Sequence, residues 1–347
     1  MKIPKAKKLP SGSWFCRVRV GGRDIAITRP TEKEAVAAAM AIKAGIVEEQ
    51  RNPLSITLAS AFSRYIEVKS GVLSPSTIAG YDQIRRNALP GIMPLRLAAL
   101  TNEKIQREIT VMAKAGKSPK YIANVNGLLS AVLKMYYPEF VLRVTLPPKQ
   151  KAPQRAITDS EIDAILSAVH GTDMELPVLM ALWLGMRVSE IRGARAGDIV
   201  GDKLHICRAV VEDIHRRPTE KPPKTFSGDR WVNLPPEIKT LIPPSKRPEE
   251  HIVTLSGQAI YKRFSRLCES LNIPHCRFHD LRHANAAVMI RLGIESKYAQ
   301  ARNGWASDYM YKQVYGYAMP DKTDKNAAAI DAYFGNKMAT AIQKSSN

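Results

Sequence analysis

A chain of 347 residues, 45% hydrophobic, 7% aromatic and 24% charged, is long enough for roughly two to three domains and too apolar to be a disordered or collagen-like polymer. Fifty-two Lys and Arg against 32 Asp and Glu give a net charge of +20, so the expected partner is a polyanion, nucleic acid before a membrane surface. The excess is uneven: residues 1–54, 55–154 and 155–347 carry +6, +9 and +5, which assigns phosphate gripping to the N-terminal part and a more balanced, enzyme-like surface to the rest.

In chain order, Trp14 to Val20 alternates and is β-rich, Gly21 and Gly22 suit a tight hairpin turn, and Arg23 to Arg29 returns. Thr31 and Glu34 have capping-box spacing ahead of an Ala-rich helix to Glu49. Lys5, Lys7, Lys8, Arg17, Arg19 and Arg23 stud this small unit, and its charge and pattern predict DNA contact against the alternative of a solvated face. Asn52 and Pro53 mark a linker. Four helices are expected at about 57–69, 76–87, 102–115 and 118–136, each opened by Ser, Thr or Asn and separated by Pro or Gly. Pro147, Pro148 and Lys149 to Gln154 form a second linker. Beyond it, helices are expected from Thr158 to Val169 and near 174–186 and 188–194. Strands follow near 203–212 and 230–234, then helices near 256–271, 279–292, 295–303, 308–315 and 323–344. The fold class predicted is multidomain: a sheet-plus-helix unit over 1–54, an all-α domain over 55–150, and a mainly α domain with a small β-sheet over 155–347.

Several chemistries fall away. Gly116-Lys117-Ser118 lacks the upstream glycine of a phosphate loop, Val111 standing there. Asp159, Glu161 and Asp163 are accounted for by capping and the helix dipole, so no metal is expected. Cys16, Cys207, Cys268 and Cys276 form no Cys-x-x-Cys pair, and His205 and His275 have no zinc-ligand spacing. Met1 to Lys8 is basic without an apolar segment after it, and Ala35–Val47 and Val178–Met186 fall far short of the ~20 residues that span a bilayer. The expected location is therefore a reducing one, cytoplasmic, with no membrane partner.

Two short strings carry the chemistry. In Phe278-His279-Asp280-Leu281-Arg282-His283, His279 and Arg282 share one face at a helix start, where free N–H groups favour an anion. In Leu184-Gly185-Met186-Arg187-Val188-Ser189-Glu190, an arginine follows a helix break inside an apolar run; it needs an anion, either a ligand or Glu190.

With these strings in place, the chain resembles the tyrosine recombinases, or phage-type integrases, chemical relatives of the type IB topoisomerases. Arg187 with Ser189 and Glu190 resembles the first arginine motif, Lys224-Thr225 the hairpin lysine, and His279 to His283 the His-x-x-Arg box. Asn303-Gly304-Trp305 resembles the usual Leu-Gly-His, and Val314-Tyr315-Gly316 the nucleophile segment. Trp305 replaces the commoner His, Asn303 replaces Leu, and Tyr317 stands where a His often follows the nucleophile. Among Tyr309, Tyr311, Tyr315 and Tyr317, Tyr315 lies ten residues after Trp305, an offset that resembles the family's usual one, and Tyr311, on the same helical face, is the alternative.

The resemblance implies catalysis by Arg187, Lys224, His279, Arg282, Trp305 and the nucleophile Tyr315, supported by Glu190, with no cofactor. It implies a 3′-phosphotyrosyl intermediate on double-stranded DNA and a homotetramer binding core sites. Residues 1–54, with Lys5, Lys7, Lys8, Arg17 and Arg19, would engage arm sites, and a host DNA-bending protein and an excision factor would be further partners near a bacterial nucleoid. The alternatives left open are a type IB-like topoisomerase and a non-catalytic DNA-binding regulator.

Overall fold

The computed structural model describes residues 5–20, 23–51, 53–149, 157–223, 225–244, 246–274, 276–309, 311–312, 314 and 330–334. The chain divides into two compact units, Met1–Lys151 and Ala152–Asn347.

The first unit opens with an antiparallel sheet of β1 (Lys7–Lys8), β2 (Trp14–Val20) and β3 (Arg23–Arg29), followed by α1 (Glu32–Arg51). Val20 pairs with Arg23, so the hairpin loop is Gly21-Gly22, which itself lies outside the described residues. Strand alternation sorts the side chains: Cys16, Val18 and Ile27 are buried with Ala35 and Ala39 of α1, while Arg17 and Arg19 point the other way and are exposed. The register puts Lys7 beside Phe15 on that open face, where the Arg17 guanidinium lies 5.7 Å from the Phe15 ring centroid. Lys5 and Lys8 are also exposed.

A second cluster is built by α2 (Leu58–Lys69), α3 (Pro75–Asn87), α4 (Asn102–Lys114) and α5 (Pro119–Tyr136). Thr57, Thr101 and Ser118 accept from the backbone N–H three residues on, which fixes three of the four starts where the sequence places them. Phe62, Leu58, Ile105, Ile122 and Leu129 are fully buried between these helices. The extended chain after α5 is held by two side-chain amides of α4: Asn102 bridges Val141 and Arg143, and Gln106 bridges Thr145 through both its N–H and its carbonyl.

The second unit is mainly helical: α6 (Asp159–Val169), α7 (Glu175–Leu182), α8 (Val188–Gly193), α9 (Pro236–Lys239), α10 (Gly257–Ser270), α11 (Asp280–Arg291) and α12 (Ser296–Asn303). Its strands are β4 (Ile199–Val200), β5 (Lys203–Ile206), β6 (Ala209–Glu212), β7 (Pro218–Lys221) and β8 (Arg230–Asn233), arranged as a β4-β5-β8 sheet and a β6-β7 hairpin. Thr158 and Glu161 form a reciprocal capping box at α6.

Two sequence expectations are corrected. The helix expected over 174–186 ends at Leu182, because Gly185 takes a φ of 65° and the Met186 N–H turns back to the Met180 carbonyl. The strand expected over 203–212 is two strands in different sheets. Cys207 and Arg208 between them are drawn to the Asp198 carboxylate, Arg208 Nη1 at 2.5 Å, and this breaks the run. The β7 and α9 elements have no counterpart in the sequence reading. Of the helix expected near 308–315, Tyr309, Tyr311, Lys312 and Val314 are helical, and of that over 323–344 only 330–334 lies within the described residues.

Because Phe62 has no exposed surface and sits at the centre of the helical cluster, Phe62→Ala is expected to destabilise that cluster by about 3–5 kcal/mol. Urea unfolding followed by circular dichroism measures this, and a loss below about 1 kcal/mol would mean the cluster repacks around the void.

Candidate active site

The second unit closes around one carboxylate. Glu190, in the first turn of α8, is 2% exposed. Its Oε1 accepts from Arg187 Nη1 at 2.5 Å, and its Oε2 accepts from the Arg187 backbone N–H and from Arg230 Nη2, both at 3.0 Å. Arg282 Nη1 stands 4.0 Å from the same oxygen. Burial works against ionisation of Glu190, but Arg230, Arg187 and Arg282 outweigh it and hold the carboxyl below the usual glutamate range. Three guanidiniums against one carboxylate leave two positive charges unbalanced.

The three arginines differ in what remains available. Arg230 is consumed: Nε donates to the Arg302 carbonyl at 2.8 Å, Nη1 to Gly228 at 3.1 Å and Nη2 to Glu190. Arg282 is 2% exposed, and its two terminal nitrogens donate to the carbonyls of Gly185 and Asn303. Burial, then repulsion from Arg187, pushes Arg282 down to about 9, which still leaves it charged at neutral pH. Arg187 alone of the three keeps a side chain 30% exposed; its Nη2 reaches the Gly304 carbonyl at 3.4 Å.

Gly304 closes α12 in the left-handed region, φ 60°, which only glycine adopts without strain, and a Cβ there would lie 2.6 Å from the Ser227 carbonyl. That turn delivers Trp305, 8% exposed, with the Arg282 guanidinium 5.7 Å from its ring centroid. Beneath it, Asn303 Nδ2 donates to Asn285 Oδ1 at 3.2 Å, and Asn285 Nδ2 donates to the Trp183 carbonyl at 3.1 Å. This amide pair packs directly against Gly185, where any Cβ would collide with Asn303 Oδ1.

His279 immediately precedes α11 and faces His283 at 5.0 Å between ring centroids. Removal from water, then the charges of His283, Arg282 and Arg187, moves His279 down to about 4. Its residue surface is still exposed, so water offsets part of that displacement, and the consequence is an imidazole that is neutral at pH 7.

The structure brings Arg187, Glu190, His279, Arg282 and Trp305 near one another. Lys224 and Tyr315 lie outside the described residues. Tyr311, a competitor for nucleophile, has its hydroxyl donated to the Ile294 carbonyl at 2.7 Å, and its ring packs against the apolar cluster that includes Trp305 and Val314. Sequence reasoning missed Arg230 and Asn285. The signal for Arg230 was present: in β8 the inward positions are Arg230 and Val232, and a charge on an inward strand position demands a buried partner. Among the described residues no group of three or more His, Cys, Asp or Glu side chains is placed to hold a metal, and no helix is long and apolar enough to cross a membrane.

The phage integrase family model matches residues 155–320. A XerC-like tyrosine recombinase of Caldanaerobacter subterraneus subsp. tengcongensis is 21% identical over 307 residues, covering 75% of this chain and 78% of that protein. The Tn1549 transposon integrase, solved in complex with circular intermediate DNA, aligns with a TM-score of 0.64 at 18% identity, over 79% of this chain and all of that one. A lambda integrase, solved as a tetramer bound to a Holliday junction, aligns with a TM-score of 0.58 at 19% identity, over 90% of this chain and 95% of that one. The shared architecture is the multidomain fold of these integrases.

Glu190→Gln removes the counter-charge from three guanidiniums and is expected to cost about 3–5 kcal/mol at neutral pH. Since the Glu190 carboxyl is held below its ordinary 4.5, its contribution is present above that value and is lost as pH falls through the lowered one. The gap between wild type and variant should therefore narrow on acidification below about 4.5. Urea unfolding of both proteins across pH checks it, and parallel stability curves would contradict the assignment.

Proposed function

We propose that the chain is a tyrosine recombinase of the phage integrase family, a reading supported by the family model and the XerC-like relative, and that it integrates and excises a mobile element by cleaving and rejoining DNA through a 3′-phosphotyrosyl link on Tyr315. The observation carrying this reading is the buried Arg187-Arg230-Arg282 cluster around Glu190, with two positive charges left over and one guanidinium, Arg187, at the surface. A phosphodiester under attack gains negative charge on its non-bridging oxygens, and a preorganised positive site stabilises that state without needing a metal ion. Arg187 meets the phosphate. Arg282 supplies its charge from just beneath, and Trp305, stacked on Arg282, brings an indole N–H to the rim.

The tyrosine oxygen attacks phosphorus, the P–O5′ bond breaks, and the 5′-oxygen leaves with a proton. Neutral His279 is in the state that can take the proton from the tyrosine hydroxyl, and Lys224 is the proposed donor to the leaving oxygen. The phosphotyrosyl ester keeps the energy of the broken bond, so a 5′-hydroxyl of another strand reverses the step without nucleotide hydrolysis. Residues 155–347 form the catalytic domain in this reading, and the helical residues 55–150 hold the core site. The sheet of residues 1–54 binds a separate arm site through the open face that carries Lys7, Arg17 and Arg19, with Lys5 and Lys8 alongside. The lambda integrase tetramer on a Holliday junction supports a homotetramer as the working assembly.

Tyr315→Phe is expected to abolish covalent trapping on a nicked DNA duplex while leaving binding nearly unchanged, since only the hydroxyl oxygen attacks. Adduct formation by Tyr315→Phe but not by Tyr311→Phe would move the nucleophile to Tyr311. Deleting residues 1–54 should leave core-site cleavage intact, abolish recombination of arm-bearing DNA, and flatten the salt dependence of binding to it. Equal salt slopes and equal recombination by the truncated protein would make the sheet unit a stability element.

A further inference from the structure

Phe226 is an anomaly of placement. It is 100% exposed, yet it sits on a turn that is hydrogen-bonded within itself and to Arg230. The one-turn 3-10 helix Phe226–Gly228 is closed by Gly228 N–H to Thr225 carbonyl, 2.8 Å, and the Thr225 and Ser227 hydroxyls meet at 3.1 Å. The Gly228 carbonyl accepts from Arg230 Nη1 at 3.1 Å, and the Ser227 carbonyl lies against Gly304, whose own carbonyl takes Arg187 Nη2. On the far side Asp229 is 2.8 Å from His205 Nε2, and His205 stacks on Trp231 with ring centroids 4.4 Å apart. A phenyl ring that touches nothing is therefore presented from a turn bolted to the guanidinium cluster.

We infer that Phe226 is a base-contacting wedge, whose ring stacks on an exposed base face of duplex DNA at the step beside the phosphate held by Arg187. The inference rests on the recombinase reading and adds a contact to it. Beneath the turn lie Arg230 and, through Gly304, Arg187, while its own acid, Asp229, is paired with His205; a partner carrying phosphates suits that side, and the flat apolar surface that comes with phosphates is a nucleobase. The turn fixes the Phe226 backbone in advance, which leaves only its side-chain torsions to be ordered on stacking. A wedge at this place partly unstacks one base step and so favours DNA steps that unstack easily, which makes Phe226 a specificity residue that reads deformability rather than hydrogen bonds.

The test uses the full chain and a duplex selected from a randomised pool by covalent capture, with 2-aminopurine placed in turn at each position flanking the cleaved phosphate. Wild type and Phe226→Trp should both change the fluorescence at one step. Phe226→Ala should lose that signal and roughly 5- to 100-fold of the covalent-complex rate, the range for one lost base stack. Its thermal unfolding should match wild type, because the ring buries nothing. An unchanged signal and rate in Phe226→Ala would overturn the inference. So would a variant that alters only the sedimentation of DNA-free protein, which would assign the ring to contact between copies. If no DNA is captured covalently, the phosphotyrosyl chemistry falls. The same fluorescence series on DNA selected by binding alone then decides the wedge separately.

Discussion

A single buried carboxylate sets the terms for the second unit. Taking Glu190 out of water is costly, and so is taking out Arg230 and Arg282; none of the three is tolerable there alone. Together they neutralise one another incompletely. Among the described residues no second carboxylate is paired with these guanidiniums, and Arg187, the most exposed member, is itself tied to Glu190 and the Gly304 carbonyl. An anion arriving from solvent would balance the leftover charge. In the recombinase reading proposed above, structural stability and phosphate affinity come from the same four side chains.

The cluster also sets the positions of elements that hold no proposed catalytic group. Arg230 opens β8 and ties it simultaneously to α8 through Glu190 and to the end of α12 through the Arg302 carbonyl. Asn303 and Asn285 then link α12, α11 and the chain after α7, which puts the Gly185 and Asn303 carbonyls where Arg282 can use both. A leucine at position 303 would fill the same space but would leave the Asn285 Oδ1 without its donor. The asparagine that departs from the family pattern is therefore one half of a pair, and its partner lies on a different helix.

Most of the helices were legible because their signals are local. Ser or Thr caps and Pro or Gly breaks fixed α2, α4, α5 and α6 to within a residue or two. The two errors have nearby causes that hydrophobic periodicity does not register: Gly185 turns the chain back onto the Met180 carbonyl, and a carboxylate just outside the expected strand acts on its middle. The strand over 203–212 breaks because Asp198 draws Arg208 aside, and nothing between 203 and 212 announces it. The site shows the same division. Arg187, His279 and Arg282 stand in recognisable strings, whereas Arg230 and Asn285 become meaningful only once Glu190 and Asn303 are seen beside them. Arg230 lay within reach of a stricter reading of strand alternation. Asn285, one polar residue among the alanines of α11, did not.

The partners of the central cluster are widely spaced along the chain: 40 residues separate Arg230 from Glu190, 97 separate Arg282 from Gly185, and 117 separate Gly304 from Arg187. Closing loops of such length costs chain entropy before the contacts are made. During synthesis the first arginine emerges well before the α12 carbonyls that complete its surroundings. Until α12 is made, Arg187 has no Gly304 carbonyl and Arg282 no Asn303 carbonyl, so the guanidinium cluster exists only once residues from 185 to 304 are all present.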